Sequence, residues 1–170
     1  LASCKYKYMK NVLLISATSG TNLDLAHNID KVLKNHSIDS KIICLEDFDI
    51  PLYKGEDIND SNKKHVINLS NFIKEANGMV ICAPEYNGSI PPILTNAIAW
   101  ISVTTDNWRD GFNNKVSLIA TSSGGAGTKL ILSLKTQLEH LGSIVLPRTI
   151  SVNSKKPFNE ESCRKILDLL

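Results

Sequence analysis

Short apolar runs alternate with longer segments of helical periodicity along this sequence, and this alternation restricts the fold more than any other feature. Residues 11–16 (NVLLIS) have the length and continuous apolar character of a strand buried on both faces. The next segment carries apolar residues at helical spacing: Leu25, Ala26, Ile29, Val32 and Leu33. Strands and amphipathic helices in strict alternation predict a parallel sheet with right-handed crossovers and helices on both faces.

Further runs extend the pattern to five strands. Three of them lie at residues 41–45, 79–83 and 116–120, and an interrupted fifth strand is expected at 144–146 and 149–152. Helical periodicity fills the intervals and returns in a last short helix at 159–170. The 170 residues fit one domain. We expect that domain to cover 9–170, with residues 1–8 a non-native or disordered leader because they lack periodicity and precede Met9.

Charge and cysteine content narrow the classes of function. The 19 basic and 17 acidic residues leave a net charge of +2 without a basic cluster, which argues against nucleic-acid or membrane partners. Reduced thiols fit the cytosol, so a cytoplasmic protein is expected. The four cysteines form no C-x-x-C pair and have no histidine at ligand spacing, so no metal site is expected. Cys44 and Cys82 lie in apolar runs and are expected to be reduced and buried.

Unusual residues follow three of the predicted strands, where parallel sheets bind ligands. The first loop, residues 16–22 (SATSGTN), has the hydroxyls of a phosphate cradle at a helix N-terminus, but an ordinary capped helix start explains them equally well. The second loop, 84–92, is stiffened by three prolines and offers Tyr86 and Asn87 to a flat heterocycle. The alternative is a turn that packs its own tyrosine.

The third loop, residues 121–127 (TSSGGAG), is rich in glycine. Glycines let the backbone approach a ligand closely, although a simple strand-to-helix turn is as good an explanation. The loop lacks the full G-x-G-x-x-G spacing, and Thr128-Lys129 has the wrong order for a P-loop.

The second loop also carries a family resemblance. Residues 84–87 (PEYN), followed by 89–91 (SIP) and 96–98 (NAI) ahead of Trp100, resemble the signature of the NAD(P)H-dependent FMN reductases, flavodoxin-like proteins related to chromate, azo and quinone reductases. The resemblance extends in element order from about Met9 to Val152. It implies an α/β three-layer sandwich with a five-stranded parallel sheet of order 2-1-3-4-5, and FMN at the carboxyl ends of strands one, three and four.

The same resemblance implies an oxidoreductase. Hydride would pass from NADH or NADPH to the flavin and on to free flavin, a quinone, an azo compound or a metal oxyanion. No side chain is expected to be catalytic, because the flavin N5 carries the hydride. A homodimer or homotetramer is implied. The alternatives are a flavodoxin-like electron carrier, usually acidic and disfavoured by the +2 charge, and an interaction protein without cofactor.

Carried over position by position, the resemblance assigns FMN-binding residues in all three loops. The residues assigned to the FMN phosphate are Ser16, Thr18, Ser19, Thr21 and Asn22. Those assigned to the ribityl chain and the ring are Pro84, Glu85, Tyr86 and Asn87. Those assigned to the pyrimidine side of the flavin are Ser122, Ser123, Gly124 and Gly125. Many members carry an arginine near the position of Thr18, so we expect weaker FMN retention here. Trp100 is interpreted as a subunit contact or, alternatively, as a core residue.

Overall fold

The computed structural model describes residues 11–55 and 60–168, and the predicted leader lies outside them. The strands are β1 (Val12–Ser16), β2 (Ser40–Cys44), β3 (Gly78–Cys82), β4 (Val116–Ser122), β5 (Ile144–Val145) and β6 (Ile150–Val152). The helices are α1 (Thr21–Asn35), α2 (Asp60–Glu75), α3 (Pro92–Thr104), α4 (Thr128–His140) and α5 (Glu160–Leu167). A short 3-10 turn at Leu45–Asp47 follows β2.

The strands form one parallel sheet of order β2-β1-β3-β4-β5, which confirms the predicted order. The interrupted fifth strand is also confirmed: β5 pairs with the start of β4 and β6 with its end. Pro147 lies between the two pieces, where it cannot donate a ladder hydrogen bond. β4 runs to Ser122, two residues beyond its predicted end, because β6 supplies pairing partners there.

The helices cover both faces of the sheet. Helices α1 and α5 pack on one face and α2, α3 and α4 on the other, so each strand alternates between two apolar cores. Leu14 belongs to the first core and Ile15 to the second, and both are almost wholly buried. This two-sided burial explains why the strands appear as unbroken apolar runs in the sequence. Among the described residues, no helix combines the length and apolar character that a bilayer span requires.

The cysteines in the described residues are core side chains. Cys44 and Cys82 are buried, as predicted, and so is Cys163 on α5. Burial raises the pKa of the Cys163 thiol to about 12 and raises that of Cys82 as well. Burial thus disfavours the thiolate form of both side chains, which suits a structural role in the core.

Trp100 is a core residue of its own chain, and the interpretation as a subunit contact is wrong. The side chain is 4% exposed, and its indole N–H donates to the carbonyl oxygen of Pro51 at 2.7 Å. Its ring meets that of Tyr53 edge-on, with centroids 5.1 Å apart. The indole therefore holds the segment after β2 against α3.

Candidate functional site

The loops that follow β1, β3 and β4 converge on one cavity of about 470 Å3 at the carboxyl end of the sheet. Ten of the thirteen predicted site residues line it: Thr18, Ser19, Thr21, Asn22, Pro84, Glu85, Tyr86, Ser122, Ser123 and Gly124. Ser16, Asn87 and Gly125 are not part of its lining. Two other hollows, of about 10 and about 40 Å3, are far too small for a nucleotide.

The first loop leaves the N-terminus of α1 open. Gly20, with a φ of +83°, is the residue that caps α1, and among the described residues no side-chain hydrogen bond caps this end of the helix. The interpretation as an ordinary capped helix start is therefore wrong. Free amides at a helix N-terminus attract an anion. The Ser16 hydroxyl is turned inward and donates to the carbonyl oxygen of Thr18 at 2.7 Å, which fixes the course of the loop.

Asn22 joins the first loop to the third. Its side-chain NH2 donates to the carbonyl oxygen of Ser122, and its side-chain oxygen accepts from the Ser122 amide, both at 2.9 Å. The residue is 2% exposed. Because both ends of the side-chain amide are engaged with backbone, Asn22 acts in this structure as a clamp between two walls of the cavity.

Glu85 connects the second loop to α4. Its carboxylate accepts from the backbone amides of Lys129 and Leu130, at 3.0 and 3.1 Å, and so caps that helix. Its own amide donates to the hydroxyl of Ser123 at 3.0 Å. The side chain therefore positions the second and third loops relative to each other.

The tip of the second loop is a tight turn. Asn87 and Gly88 both have positive φ, 50° and 70°, and the backbones of Tyr86 and Ser89 bond to each other across them. This is the Asn-Gly arrangement of a type I′ turn, which explains why Asn87 lies outside the cavity. Tyr86 is 49% exposed and lines the cavity, so the alternative of a turn that packs its own tyrosine is wrong.

The third loop combines a fixed base with an open tip. The Ser123 hydroxyl bonds that of Thr121 at 2.8 Å. Gly127, with a φ of +66°, has no room for a side chain, because a Cβ there would lie 2.7 Å from Cγ2 of Thr121. At Gly124 and Gly125, in contrast, an added Cβ would meet nothing within 4 Å. These two glycines leave free space beside the cavity.

Asn153 and Ser154 line the cavity but were missed by sequence analysis. The Asn153 side chain donates to the carbonyl oxygen of Gly125 at 3.1 Å and accepts from the amides of Lys155 and Lys156. The turn after β6 thus supports the third loop. The signal was present, since the predicted fifth strand ends at the same edge of the sheet as the three loops.

Charge in the cavity wall is low. Among the described residues that line it, Glu85 is the one carboxylate, and none is a lysine or arginine. The first loop also has neither lysine nor arginine. Beside it stands Glu46, whose carboxylate accepts from the Ser19 amide at 2.7 Å. Hydrogen bonds from Ser19 hold the pKa of this exposed carboxyl below its usual range.

These features fit FMN. The cavity volume lies in the range of nucleotide-sized sites, roughly 300–1,000 Å3. Hydroxyls of the first loop and the uncapped start of α1 suit a phosphate, the half-exposed Tyr86 suits an aromatic ring, and the space beside Gly124 and Gly125 admits a ligand close to backbone. Within residues 11–55 and 60–168, no cluster of His, Cys, Asp or Glu could hold a metal ion.

Comparisons with known proteins agree with this fit. The family model described as NADPH-dependent FMN reductase matches residues 9–157. A quinone reductase of Escherichia coli K12 is 37% identical over 101 residues, covering 58% of this chain and 52% of that protein. The second subunit of an NADH-dependent flavin reductase of Lactobacillus johnsonii is 30% identical over 112 residues, 64% of this chain and 59% of that subunit. The chain thus spans little more than half of these relatives.

Solved structures repeat the fold. The flavoenzyme FerB of Paracoccus denitrificans, an NAD(P)H:acceptor oxidoreductase, superimposes with a TM-score of 0.69 at 22% identity, over 94% of this chain and 91% of that one. An azoreductase of Bacillus anthracis superimposes with the same TM-score at 14% identity, over 95% and 100% of the two chains. At these identities the likeness concerns the three-layer architecture.

Proposed function

Because the chain belongs to the NADPH-dependent FMN reductase family, we propose that it is an FMN-dependent oxidoreductase that takes hydride from NADH or NADPH and reduces a small-molecule acceptor. Quinones, azo compounds and free flavins are the acceptor classes that the names of its relatives support. The observation that carries the proposal is the meeting of three loops, from β1, β3 and β4, around one FMN-sized cavity.

The proposed roles divide the site into binding and positioning residues. Thr18, Ser19 and Thr21, with the first amides of α1, would hold the phosphate. Tyr86 and the buried Pro84 would contact the ring, and the loop at Gly124 its pyrimidine side. Asn22 and Glu85 position these loops through the bonds described above. The remaining predicted residues help to fix the backbone conformation of the loops: Ser16, Asn87, Ser122, Ser123 and Gly125.

FMN when bound supplies the redox chemistry, accepting two electrons from a nicotinamide and returning them to an acceptor. The protein contributes little acid–base chemistry to such a reaction. Its loops orient the flat ring and exclude water from one side of it. The backbone amides of Gly124 and Gly125 lie in a loop held by Asn22 and by the turn after β6, and they would be preorganised donors toward the pyrimidine side of a bound flavin.

We also propose that the protein is a cytoplasmic homodimer or homotetramer. Val103 on α3 and Leu132 on α4 are 51% and 61% exposed on the same side of the sheet, which supports an apolar contact between copies. Buried, unpaired thiols at Cys44, Cys82 and Cys163 suit a reducing compartment. Light scattering coupled to gel filtration tests the oligomer, and a mass equal to one chain would contradict it.

Stopped-flow spectroscopy tests the proposed reaction. Flavin absorbance is followed after mixing the FMN-loaded protein with NADH or NADPH, and the reduced protein is then mixed with a quinone, an azo dye or free FMN. We expect rapid bleaching by a nicotinamide and recovery with at least one acceptor. A bound flavin that is reduced by neither NADH nor NADPH would indicate a flavodoxin-like carrier. A protein that binds no flavin would overturn the proposal.

A further inference from the structure

The phosphate side of the cavity has an acidic neighbour that sequence analysis did not single out. Glu46 lies in the 3-10 turn after β2, and β2 is the neighbour of β1 at the edge of the sheet. Ser16 is in register with Cys44, so the first loop and this turn leave the sheet at the same level. The resulting contact is the 2.7 Å bond from the Ser19 amide to the Glu46 carboxylate.

This bond changes what the first loop offers to an anion. A phosphate cradle works through amide and hydroxyl donors, and a carboxylate already occupies the amide of Ser19. The hydroxyls of Thr18 and Thr21 have no partner within the described part of the chain, and the first amides of α1 have no side-chain cap. Neutral donors therefore remain, but the donor nearest Glu46 is taken.

The local charges oppose a phosphate as well. A phosphate monoester carries between one and a half and two negative charges at neutral pH. No cation belongs to residues 16–22, whereas Glu46 adds a negative charge next to Ser19. The loop offers uncharged hydroxyl side chains instead, at Thr18, Ser19 and Thr21. Repulsion between Glu46 and the phosphate is thus not balanced by a charged side chain of the loop.

We propose that Glu46 is a specificity-determining residue: it weakens the binding of phosphorylated flavin selectively and narrows the difference in affinity between FMN and riboflavin. The proposal rests on the proposed function, since it concerns the same flavin site. It implies that flavin exchanges readily at this site, as a substrate does, and that the unphosphorylated flavin is also accepted.

Binding of two flavins to matched variants tests this. Quenching of flavin fluorescence is titrated for FMN and for riboflavin with the wild type, Glu46→Gln and Glu46→Ala. We expect Glu46→Gln to bind FMN about tenfold more tightly, because one unit charge is removed beside the phosphate while an oxygen acceptor for Ser19 remains. Its riboflavin affinity should stay within about twofold. Asp47→Asn is the control, since it removes the same charge from the next, exposed residue, which has no bond to the first loop.

The salt dependence of FMN affinity distinguishes the effect of the Glu46 charge from an effect on loop geometry. At about 1 M NaCl, where the screening length falls to about 3 Å, the FMN advantage of Glu46→Gln should largely disappear. Glu46→Ala removes charge and acceptor together, so its FMN affinity should rise less than that of Glu46→Gln.

Three other outcomes would overturn the proposed role of Glu46. An unchanged ratio of FMN to riboflavin affinity in Glu46→Gln, while both flavins still bind, overturns the role of Glu46 and leaves the reductase proposal intact. Equal loss of both flavins in Glu46→Gln and Glu46→Ala would make Glu46 a support of the loop only, and would likewise overturn the proposal. A wild type that binds neither flavin overturns the reductase proposal and this one together.

Discussion

The loops after β1 and β4 face the same cavity but are constructed differently. In the loop after β4, Ser122 is clamped by Asn22, Ser123 bonds Thr121 and Glu85, and Gly125 is held by Asn153. In the loop after β1, the hydroxyls of Thr18 and Thr21 make no bond within the described residues, and α1 begins without a side-chain cap. The polar groups of the loop after β4 are engaged in bonds that fix its conformation, whereas those of the loop after β1 remain available to a ligand.

This difference separates two kinds of site residue. A polar group that is satisfied inside the protein contributes to a ligand's affinity by fixing geometry, and its removal costs stability. A polar group that faces an open cavity contributes by direct contact, and its removal leaves stability nearly unchanged. Stability and flavin affinity, measured on the same variants, show which residues belong to which kind.

The largest effect is expected at the clamp between the loops. Asn22→Leu leaves the amide and carbonyl of Ser122 without partners in a partly buried position, so the free energy of unfolding should fall by about 2–4 kcal/mol. Urea unfolding measures it. Thr21→Val is the matched control on the adjacent, exposed residue and should change stability by less than about 0.5 kcal/mol while weakening FMN. Equal stability of the two variants would show that the clamp is unimportant.

A smaller loss is expected at the cap of α4. Glu85→Ala removes the acceptor of two helical amides and should lower stability by about 1–2 kcal/mol, with Glu85→Gln in between. Thermal unfolding gives the values. Glu139→Gln, at the other end of the same helix in an exposed pair with Lys135, should cost under about 0.5 kcal/mol. If Glu85→Ala and Glu139→Gln lost the same amount of stability, capping of α4 by Glu85 would be excluded as a source of stability.

Adding a cation to the open loop should change affinity without changing the fold. Thr18→Arg supplies the guanidinium that the loop lacks and should tighten FMN binding about tenfold, through charge-assisted bonds to the phosphate. Riboflavin has no phosphate, so its affinity should stay the same. Fluorescence titration of both flavins measures the effect, and unchanged or weaker FMN binding would contradict the assignment of this loop to the phosphate.

The smallest effect is expected at the ring. Tyr86→Leu should weaken FMN and riboflavin equally, by about threefold, because an aromatic contact contributes about 0.5–1.5 kcal/mol and both flavins share the ring. Stability should hardly change, since the side chain is half exposed. Trp108→Leu is the control: Trp108 is 44% exposed but packs against His140, where α4 ends, far from the site. If Tyr86→Leu weakened the binding of only one of the two flavins, contact between Tyr86 and the shared ring would be contradicted.

Much of the site was accessible from sequence because its residues follow strands. The three loops could be assigned to one edge of the sheet, and ten of the thirteen named residues do line one cavity. Asn87 is not part of the lining, because the Asn-Gly pair forms a type I′ turn at the tip of the second loop. Asn153 and Ser154 follow the predicted end of the fifth strand, but their turn has no glycine or family motif that marks it as a ligand loop.

The sequence by itself determined the α/β class, the parallel direction of the strands and the edge of the sheet at which the three loops meet, because these depend on apolar periodicity and chain order. Tertiary structure alone decided which polar groups are engaged and which are free. The Asn22 side chain meets Ser122 a hundred residues away, and Glu85 caps a helix that begins over forty residues later. Glu46 contacts Ser19 from the 3-10 turn that follows the neighbouring strand. Hydrogen bonds depend on distances of tenths of an ångström between residues far apart in the chain, and local sequence carries no record of such distances.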